Sequence, residues 1–361
     1  MSKIETLLAQ IGNRKDERTG AVEAPIYLST AYQHPTLGQS TGYDYTRTAN
    51  PTRQIVEEAI AALEQGTRGF ACSSGMAAIQ LIFSLFKQGD EIVINEDIYG
   101  GSYRLFEHLE QAYSIKPVYV EPDQIEQAIT DKTKAIFIET PTNPLLMEID
   151  IAHIAAIAKK HQLLFIVDNT FYTPYLQQPI VVGADIVIHS ASKYLGGHND
   201  VLAGLVVVKG EELAERVFYL HNAIGAVLSP LDSMLLIRGM KTLSLRLEKQ
   251  QANAREIAAF LREEPYVQDV LYPGKGGMIS FRVTDSQLIG PFLERLRTIS
   301  FAESLGGVES FITYPTTQTH ADIPKKELDK RGICDKLLRF SVGIEHADDL
   351  KKDIQQAMTG H

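Results

Sequence analysis

Cysteine is scarce in this chain, whose 361 residues hold only Cys72 and Cys334. Two thiols at that separation form neither a metal-ligand spacing nor a disulfide framework, and both read as ordinary packing residues. Such a chain suits a reducing cytoplasm. Long apolar runs are also missing: nothing approaches the ~20 uninterrupted apolar residues of a membrane span, and the opening Met1-Ser2-Lys3-Ile4-Glu5-Thr6 is too polar for a signal peptide. Neither a membrane span nor export is expected. Positive charge is in deficit. A formal net charge of -10 leaves no basic field for nucleic acid or for an anionic membrane surface. No G-x-G-x-x-G opens a helix after a strand and no G-x-x-x-x-G-K-[ST] occurs, which argues against a nicotinamide dehydrogenase or a P-loop enzyme. Repeats and low-complexity tracts are absent.

What is there is a chain with enough hydrophobic residues, 44%, to bury two domains without staples. Residues 1–55 lack sustained periodicity and are rich in Thr, Tyr and Gly. An arm of that kind needs the main body or a second subunit to cover its aromatics. From Thr52 to Leu63 the pattern is helical. Apolar runs then alternate with helix-like stretches, notably Met76-Phe86 and Ile151-His161, as in βαβ units. The strands expected are Gly69-Ala71, Glu91-Ile94, Ala135-Glu139, Leu163-Asp168, Ile186-His189 and Leu205-Val208. The fold class is therefore α/β, with a large, mostly parallel sheet over residues 56–240, covered on both faces. Ligands of such sheets sit at the carboxyl ends of the strands, which singles out Glu139 to Asn143, Asp168 to Thr170 and His189 to Lys193. From residue 241 a long helix, Lys241 to Glu263, precedes strands near Met278-Val283, Ser300-Ala302, Ser310-Tyr314 and Leu338-Val342. Residues 241–361 read as a smaller α+β domain.

Three segments carry chemistry. Cys72-Ser73-Ser74-Gly75-Met76-Ala77 stands between a strand and an apolar helix. It is either an ordinary serine-capped helix start or a phosphate cradle of backbone N–H groups. Asp168 ends the apolar run Leu163-Leu164-Phe165-Ile166-Val167. A carboxylate there either caps a helix or needs a cationic partner, such as a protonated pyridine nitrogen, because an unpaired buried charge is costly. Third is Ile186-Val187-Ile188-His189-Ser190-Ala191-Ser192-Lys193-Tyr194-Leu195-Gly196-Gly197. Extended backbone through Ser190 and Ser192 would point both hydroxyls to one side, beside a lysine suited to Schiff-base chemistry. His189 and His198 flank that lysine without a third ligand at metal spacing, and read as hydrogen-bonded structural residues. No metal is expected.

These residues resemble the Cys/Met metabolism group of pyridoxal-phosphate enzymes over essentially the whole chain. The likeness rests on Tyr43-Asp44-Tyr45-Thr46-Arg47, Ser73-Ser74-Gly75-Met76-Ala77, Tyr99-Gly100-Gly101-Ser102-Tyr103, Glu139-Thr140-Pro141-Thr142-Asn143-Pro144, Val167-Asp168-Asn169-Thr170, the lysine segment, Glu303-Ser304-Leu305-Gly306-Gly307 and Leu338-Arg339-Phe340-Ser341-Val342-Gly343. One departure is Ser192, where the group commonly has Thr; both carry a hydroxyl. The resemblance implies the aspartate aminotransferase-like fold type I of pyridoxal-phosphate transferases. It makes Lys193 the Schiff-base lysine and proton carrier, and Asp168 the partner of the ring nitrogen. Tyr99 stacks on the ring and assists proton transfer. Gly75, Met76, Ser190 and Ser192 hold the phosphate, while Tyr45 and Arg47 reach the cofactor of a neighbouring subunit. Asn143, Ser304 and Arg339 form the amino-acid carboxylate site, although an Arg after Leu337-Leu338 read alone could equally be a structural ion pair. Arg104 and Glu303 join the substrate site.

The resemblance also implies a homo-oligomer, at least a dimer, and a tetramer built from dimers that share active sites. Leu305 leaves more room than the bulky aromatics of bacterial β-lyases, which favours chemistry at Cγ. The reaction expected is γ-replacement on an activated homoserine ester in methionine biosynthesis, with cysteine giving cystathionine, or with sulfide giving homocysteine. O-Acetylhomoserine is expected over the succinyl ester, since Thr48 stands where succinyl-using relatives carry an arginine, while Arg104 is kept. The rival is a cystathionine γ- or β-lyase.

Overall fold

A computed structural model describes residues 2–359 of the chain. Its strands are β1 (Arg68–Cys72), β2 (Glu91–Asn95), β3 (Lys116–Val120), β4 (Thr133–Glu139), β5 (Leu164–Asp168), β6 (Ile186–Ser190), β7 (Gly204–Val208), β8 (Val267–Leu271), β9 (Met278–Val283), β10 (Ser300–Phe301), β11 (Phe311–Thr313) and β12 (Leu337–Ser341). Two compact units are present, each taking two separate stretches of chain: Met1–Lys87 with Ile151–Ser244, and Gln88–Asp150 with Leu245–His361.

In the first unit the strand order is β1-β7-β6-β5. These strands are unbroken apolar runs because both faces are covered; every residue of β7 is buried, as are the side chains of Phe165, Val167, Ile186 and Ile188. β5 and β6 run parallel, but β7 is antiparallel to both β6 and β1. The expected mostly parallel sheet therefore carries a reversed strand. The thirteen residues from Ala191 to Ala203 that separate β6 from β7 form turns and no helix, whereas a parallel return is usually carried by a crossover helix.

The helix Pro51–Glu64 opens with Pro51 at its first position, where a missing N–H costs nothing. Asn50 accepts hydrogen bonds from the Thr52 and Arg53 N–H groups at 2.9 and 3.2 Å, two of the donors that a helix start leaves unmatched. Ahead of it, the arm holds one regular helix, Ile4–Ala9, and leaves Val22, Leu28 and Leu37 exposed.

The second unit holds two sheets. In one, β4-β2-β3, all pairs are parallel; β3 went unexpected because Lys116-Pro117 opens it and its residues are only half-buried. The other is five-stranded in the order β10-β11-β12-β9-β8, with β12 antiparallel to both neighbours. Helices Leu243–Glu263 and Ala347–Thr359 pack Ile257, Leu261, Leu350 and Ile354 against Phe281, Leu338 and Phe340. The helix expected from Lys241 starts two residues later, because the preceding helix, Pro230–Met240, ends in a turn at Lys241. Among the described residues no helix is long and apolar enough to cross a membrane. Cys72 is buried and Cys334 partly buried, both as thiols.

Candidate active site

The lysine segment lies in the first unit. β6 ends at Ser190, and Ala191–Gly196 wind into consecutive turns, with Gly196 N–H donating to the Ala191 carbonyl at 2.9 Å and Gly197 N–H to that of Lys193 at 2.8 Å. Lys193 is half-buried in that turn. Backbone that turns does not alternate sides, so Ser190 and Ser192 do not share a face as their spacing predicts. Instead, the Ser192 hydroxyl accepts from Ala203 N–H at 2.9 Å and donates to the Ala203 carbonyl at 3.2 Å, whereas the Ser190 hydroxyl has no partner among the described residues.

The strand-turn-helix at β1 brings a second set of donors to Ser190. Ser74 caps the helix Gly75–Phe83, its hydroxyl accepting from Ala77 N–H at 3.0 Å. Among the described residues the N–H groups of Gly75 and Met76 remain as unmatched donors at that helix start. A Cβ on Gly75 would lie 2.8 Å from the Ser190 Cβ and 3.0 Å from its hydroxyl oxygen. Only glycine lets the helix start approach the end of β6 this closely, so two N–H groups and a hydroxyl converge.

Asp168, at the end of β5, is buried. Its Oδ1 accepts from the N–H and the hydroxyl of Thr170 at 3.0 and 2.6 Å, and Oδ2 has no partner among the described residues. Burial raises the carboxyl pKa; the Thr170 bonds and the nearby His189 oppose that rise. A half-satisfied buried carboxylate fits the protonated ring nitrogen of pyridoxal phosphate, and the Ser190-Gly75-Met76 donors fit its phosphate. The cofactor implied by the sequence is thus matched by groups with hydrogen-bonding capacity left over. His189 is occupied otherwise, 2.8 Å from the fully buried Glu64, and His198 bonds the Gly196 carbonyl.

Tyr45 and Arg47 are exposed in the arm. Arg47 bonds the carbonyl and side-chain oxygen of Asn222 at 2.5 and 3.0 Å and lies over the Tyr45 ring. Neither is drawn to Ser190 or Gly75 in the described contacts of this unit.

The second unit holds the remaining candidates. Arg339 sits in β12, the middle of the five-stranded sheet, and is 2% exposed. Its Nη1 donates to Asn143 Oδ1 at 3.0 Å, and Nη2 to the Ser304 carbonyl at 3.1 Å and to Thr313 Oγ1 at 3.2 Å. The structure therefore brings Arg339, Asn143 and Ser304 together, with the guanidinium held by three acceptors. Ser304 takes a φ of 103°, a conformation costly for a non-glycine residue and typical of functional positions. Tyr99 precedes the helix Gly100–Tyr113, its N–H donating to Glu139 Oε2 at 2.9 Å. A Cβ on Gly101 would lie 2.4 Å from the Tyr99 ring, so this glycine is what lets the ring fold over the helix start. Burial raises the phenol pKa, while Arg104 and Arg339 oppose the rise and Glu303 and Glu139 add to it. Tyr99, Arg104, Arg339 and Glu303 therefore share one electrostatic environment. Glu303 itself is exposed, and Arg104 is paired with Asp322.

Sequence reasoning missed His320. It is fully buried, with Nε2 3.0 Å from the Asn143 carbonyl and Nδ1 2.8 Å from the Thr319 hydroxyl. Because a carbonyl can only accept, Nε2 carries the proton and Nδ1 accepts. Burial lowers this imidazole's pKa to about 4. No spacing signals such a residue; the contact joins positions 177 apart in sequence.

The family description "Cys/Met metabolism PLP-dependent enzyme" matches residues 5–359. The chain is 64% identical to the cystathionine gamma-synthase/O-acetylhomoserine (thiol)-lyase of Bacillus subtilis (strain 168) over 358 residues, 98% of this chain and 96% of the relative. It is 60% identical, over 98% and 97%, to the cystathionine gamma-synthase of Haemophilus influenzae. The solved cystathionine gamma synthase from Xanthomonas oryzae pv. oryzae in complex with aminoacrylate and cysteine superposes with a TM-score of 0.97 at 38% identity, covering 99% of this chain and 98% of that one. A half-satisfied buried carboxylate, a turn-borne lysine and a clamped guanidinium, set in a chain matched from end to end, have one common explanation: this chain belongs to the Cys/Met metabolism family of PLP-dependent enzymes, and pyridoxal phosphate is its cofactor.

Proposed function

We propose that this enzyme carries out γ-replacement on O-acetylhomoserine, with cysteine giving cystathionine and with sulfide giving homocysteine, in the cytoplasm as part of methionine biosynthesis. The observation that carries the reading is the 64% identity, over 98% of the chain, to a cystathionine gamma-synthase/O-acetylhomoserine (thiol)-lyase. Thr48 adds to it. Its hydroxyl bonds Asn222 at 3.1 Å, and a threonine offers no charge to a distal carboxylate.

Bound pyridoxal phosphate supplies an electron sink for the negative charge left when a proton leaves the substrate's Cα. Lys193 Nζ would anchor the cofactor and would also move protons, one at the substrate's Cα and a second at Cβ, so that the γ-acyloxy group can leave as a carboxylate and a thiol can take its place. Asp168 would accept from the ring N–H and so favour the protonated nitrogen. Gly75 and Met76 would donate backbone N–H groups to the phosphate with the Ser190 hydroxyl beside them, and the Ser192 hydroxyl would join by exchanging its bond to the Ala203 carbonyl. Tyr99 would stack on the ring and assist proton transfer. Arg339, oriented by Asn143 and Ser304, grips the substrate carboxylate, with Glu303 and Arg104 toward the rest of the substrate. Residues 1–55 form an arm whose Tyr45 and Arg47 serve the cofactor phosphate of a neighbouring subunit in a tetramer of paired dimers; residues 56–240 form the cofactor domain and 241–361 the smaller one.

Steady-state assays on O-acetyl- and O-succinylhomoserine, each with cysteine and with sulfide, test the reading. A larger kcat/KM for the acetyl ester with thiol-dependent product is expected. A much larger kcat/KM for the succinyl ester would overturn the ester preference.

A further inference from the structure

Resting on the γ-replacement reading, we propose that Asp322 selects the acyl group of the homoserine ester by occupying the guanidinium that a carboxylate at the far end of that acyl group would need. Arg104 lies in the first turns of the helix Gly100–Tyr113 that Tyr99 opens, and its charge acts on the Tyr99 hydroxyl together with that of Arg339. On that reading it is the cation that meets the substrate's distal end, while Arg339 is committed to Asn143, Ser304 and Thr313. In this chain Arg104 is not available as a bare charge: Nη1 donates to Asp322 Oδ2.

Both side chains are more than half exposed, and an exposed pair on mobile backbone would contribute little. The backbone here is held. His320, two residues before Asp322, is fully buried and bonded to the Asn143 carbonyl, and Ile323, directly after it, is 3% exposed and donates its N–H to the His320 carbonyl at 3.1 Å. Asp322 is therefore fixed between two buried neighbours, at the guanidinium. A neutral acyl group, such as acetyl, loses nothing by this arrangement. A succinyl group brings a second carboxylate to a cation already neutralised and meets the negative charge of Asp322.

The test compares holoenzyme variants Asp322→Asn and Asp322→Asn/Arg104→Ala with the parent. One readout is the ratio of kcat/KM for the succinyl and acetyl esters with cysteine. The other is the ratio of dissociation constants for the γ-amide analogues, N4-succinyl- and N4-acetyl-2,4-diaminobutyrate, which lack the ester leaving group. Asp322→Asn is expected to move both ratios toward succinyl by about fivefold, the upper end for one exposed charge pair, and the added Arg104→Ala to abolish the gain. Unmoved ratios, or an equal gain without Arg104, would overturn the role of Asp322. If the parent turned over neither ester, the γ-replacement reading would fall, while the binding ratio would still decide whether Asp322 screens Arg104.

Discussion

At the residue scale, the role proposed for Asp168 rests on a group whose chemistry is partly used and partly left over. Asp168 spends one oxygen on Thr170 and keeps the other. Asp168→Asn keeps the shape but not the charge. Truncating one partner of a buried charge pair costs about 3–5 kcal/mol, so turnover is expected to fall by at least about 10²-fold; near-parental turnover would remove Asp168 from its role. Arg339→Lys keeps the charge and loses the planar fork. A raised KM for the amino-acid ester is expected, with a smaller change in kcat, and steady-state kinetics read the split. His320 adds a pH effect. An imidazole held neutral by burial takes up its proton in the unfolded chain first, so its contribution to stability is lost as pH falls from about 6.5 to about 4, by up to ~1.4 kcal/mol per pH unit. Denaturation midpoints of His320→Gln should therefore fall less steeply with acid than those of the parent. The sequence singles out Lys193 and Asp168 by their places after apolar runs, and Arg339 only through the family resemblance. His320 and Asp322 were not legible in it, since their partners, Asn143 and Arg104, lie far away in the chain.

Elements position these groups, and here the sequence was read best where apolar runs are unbroken. β5, β6 and β7 were placed to within a residue or two because their buried faces leave only one reading. β3 was missed for its half-buried residues, and the reversal of β7 cannot be seen in a run of valines that would suit either direction. Nor could the turn after β6 be read: Ser190-Ala191-Ser192 alternates as letters but not in space. The close approach of the helix Gly75–Phe83 to the end of β6 is the element-scale feature with the clearest consequence. An added methyl in Gly75→Ala forces that helix start away from Ser190. Overpacking of this kind costs about 1–3 kcal/mol, so the apparent affinity for pyridoxal phosphate, read by titration of its absorption, should weaken about tenfold. Unchanged affinity would mean that the phosphate is held elsewhere.

For the whole molecule, the arm frames the question. Exposed Val22, Leu28, Leu37 and Tyr45 fit a segment covered by a second subunit, and the proposed roles of Tyr45 and Arg47 place one subunit's residues at another's cofactor. Mixing is the check. Lys193→Ala and Arg47→Ala, each weak alone, should regain activity when unfolded and refolded together, because hybrid dimers then contain one intact site. No recovery would mean that each chain builds its own site. The composition of the chain excluded nucleic-acid and metal chemistry from the expectations but could not choose between replacing a γ-substituent and cleaving cystathionine. That choice is the central claim, and it is tested by giving the holoenzyme cystathionine alone and, separately, O-acetylhomoserine with cysteine. The account predicts rapid cystathionine formation from the pair and little keto acid from cystathionine alone; fast keto-acid release, with no thiol-dependent product from the ester, would contradict it.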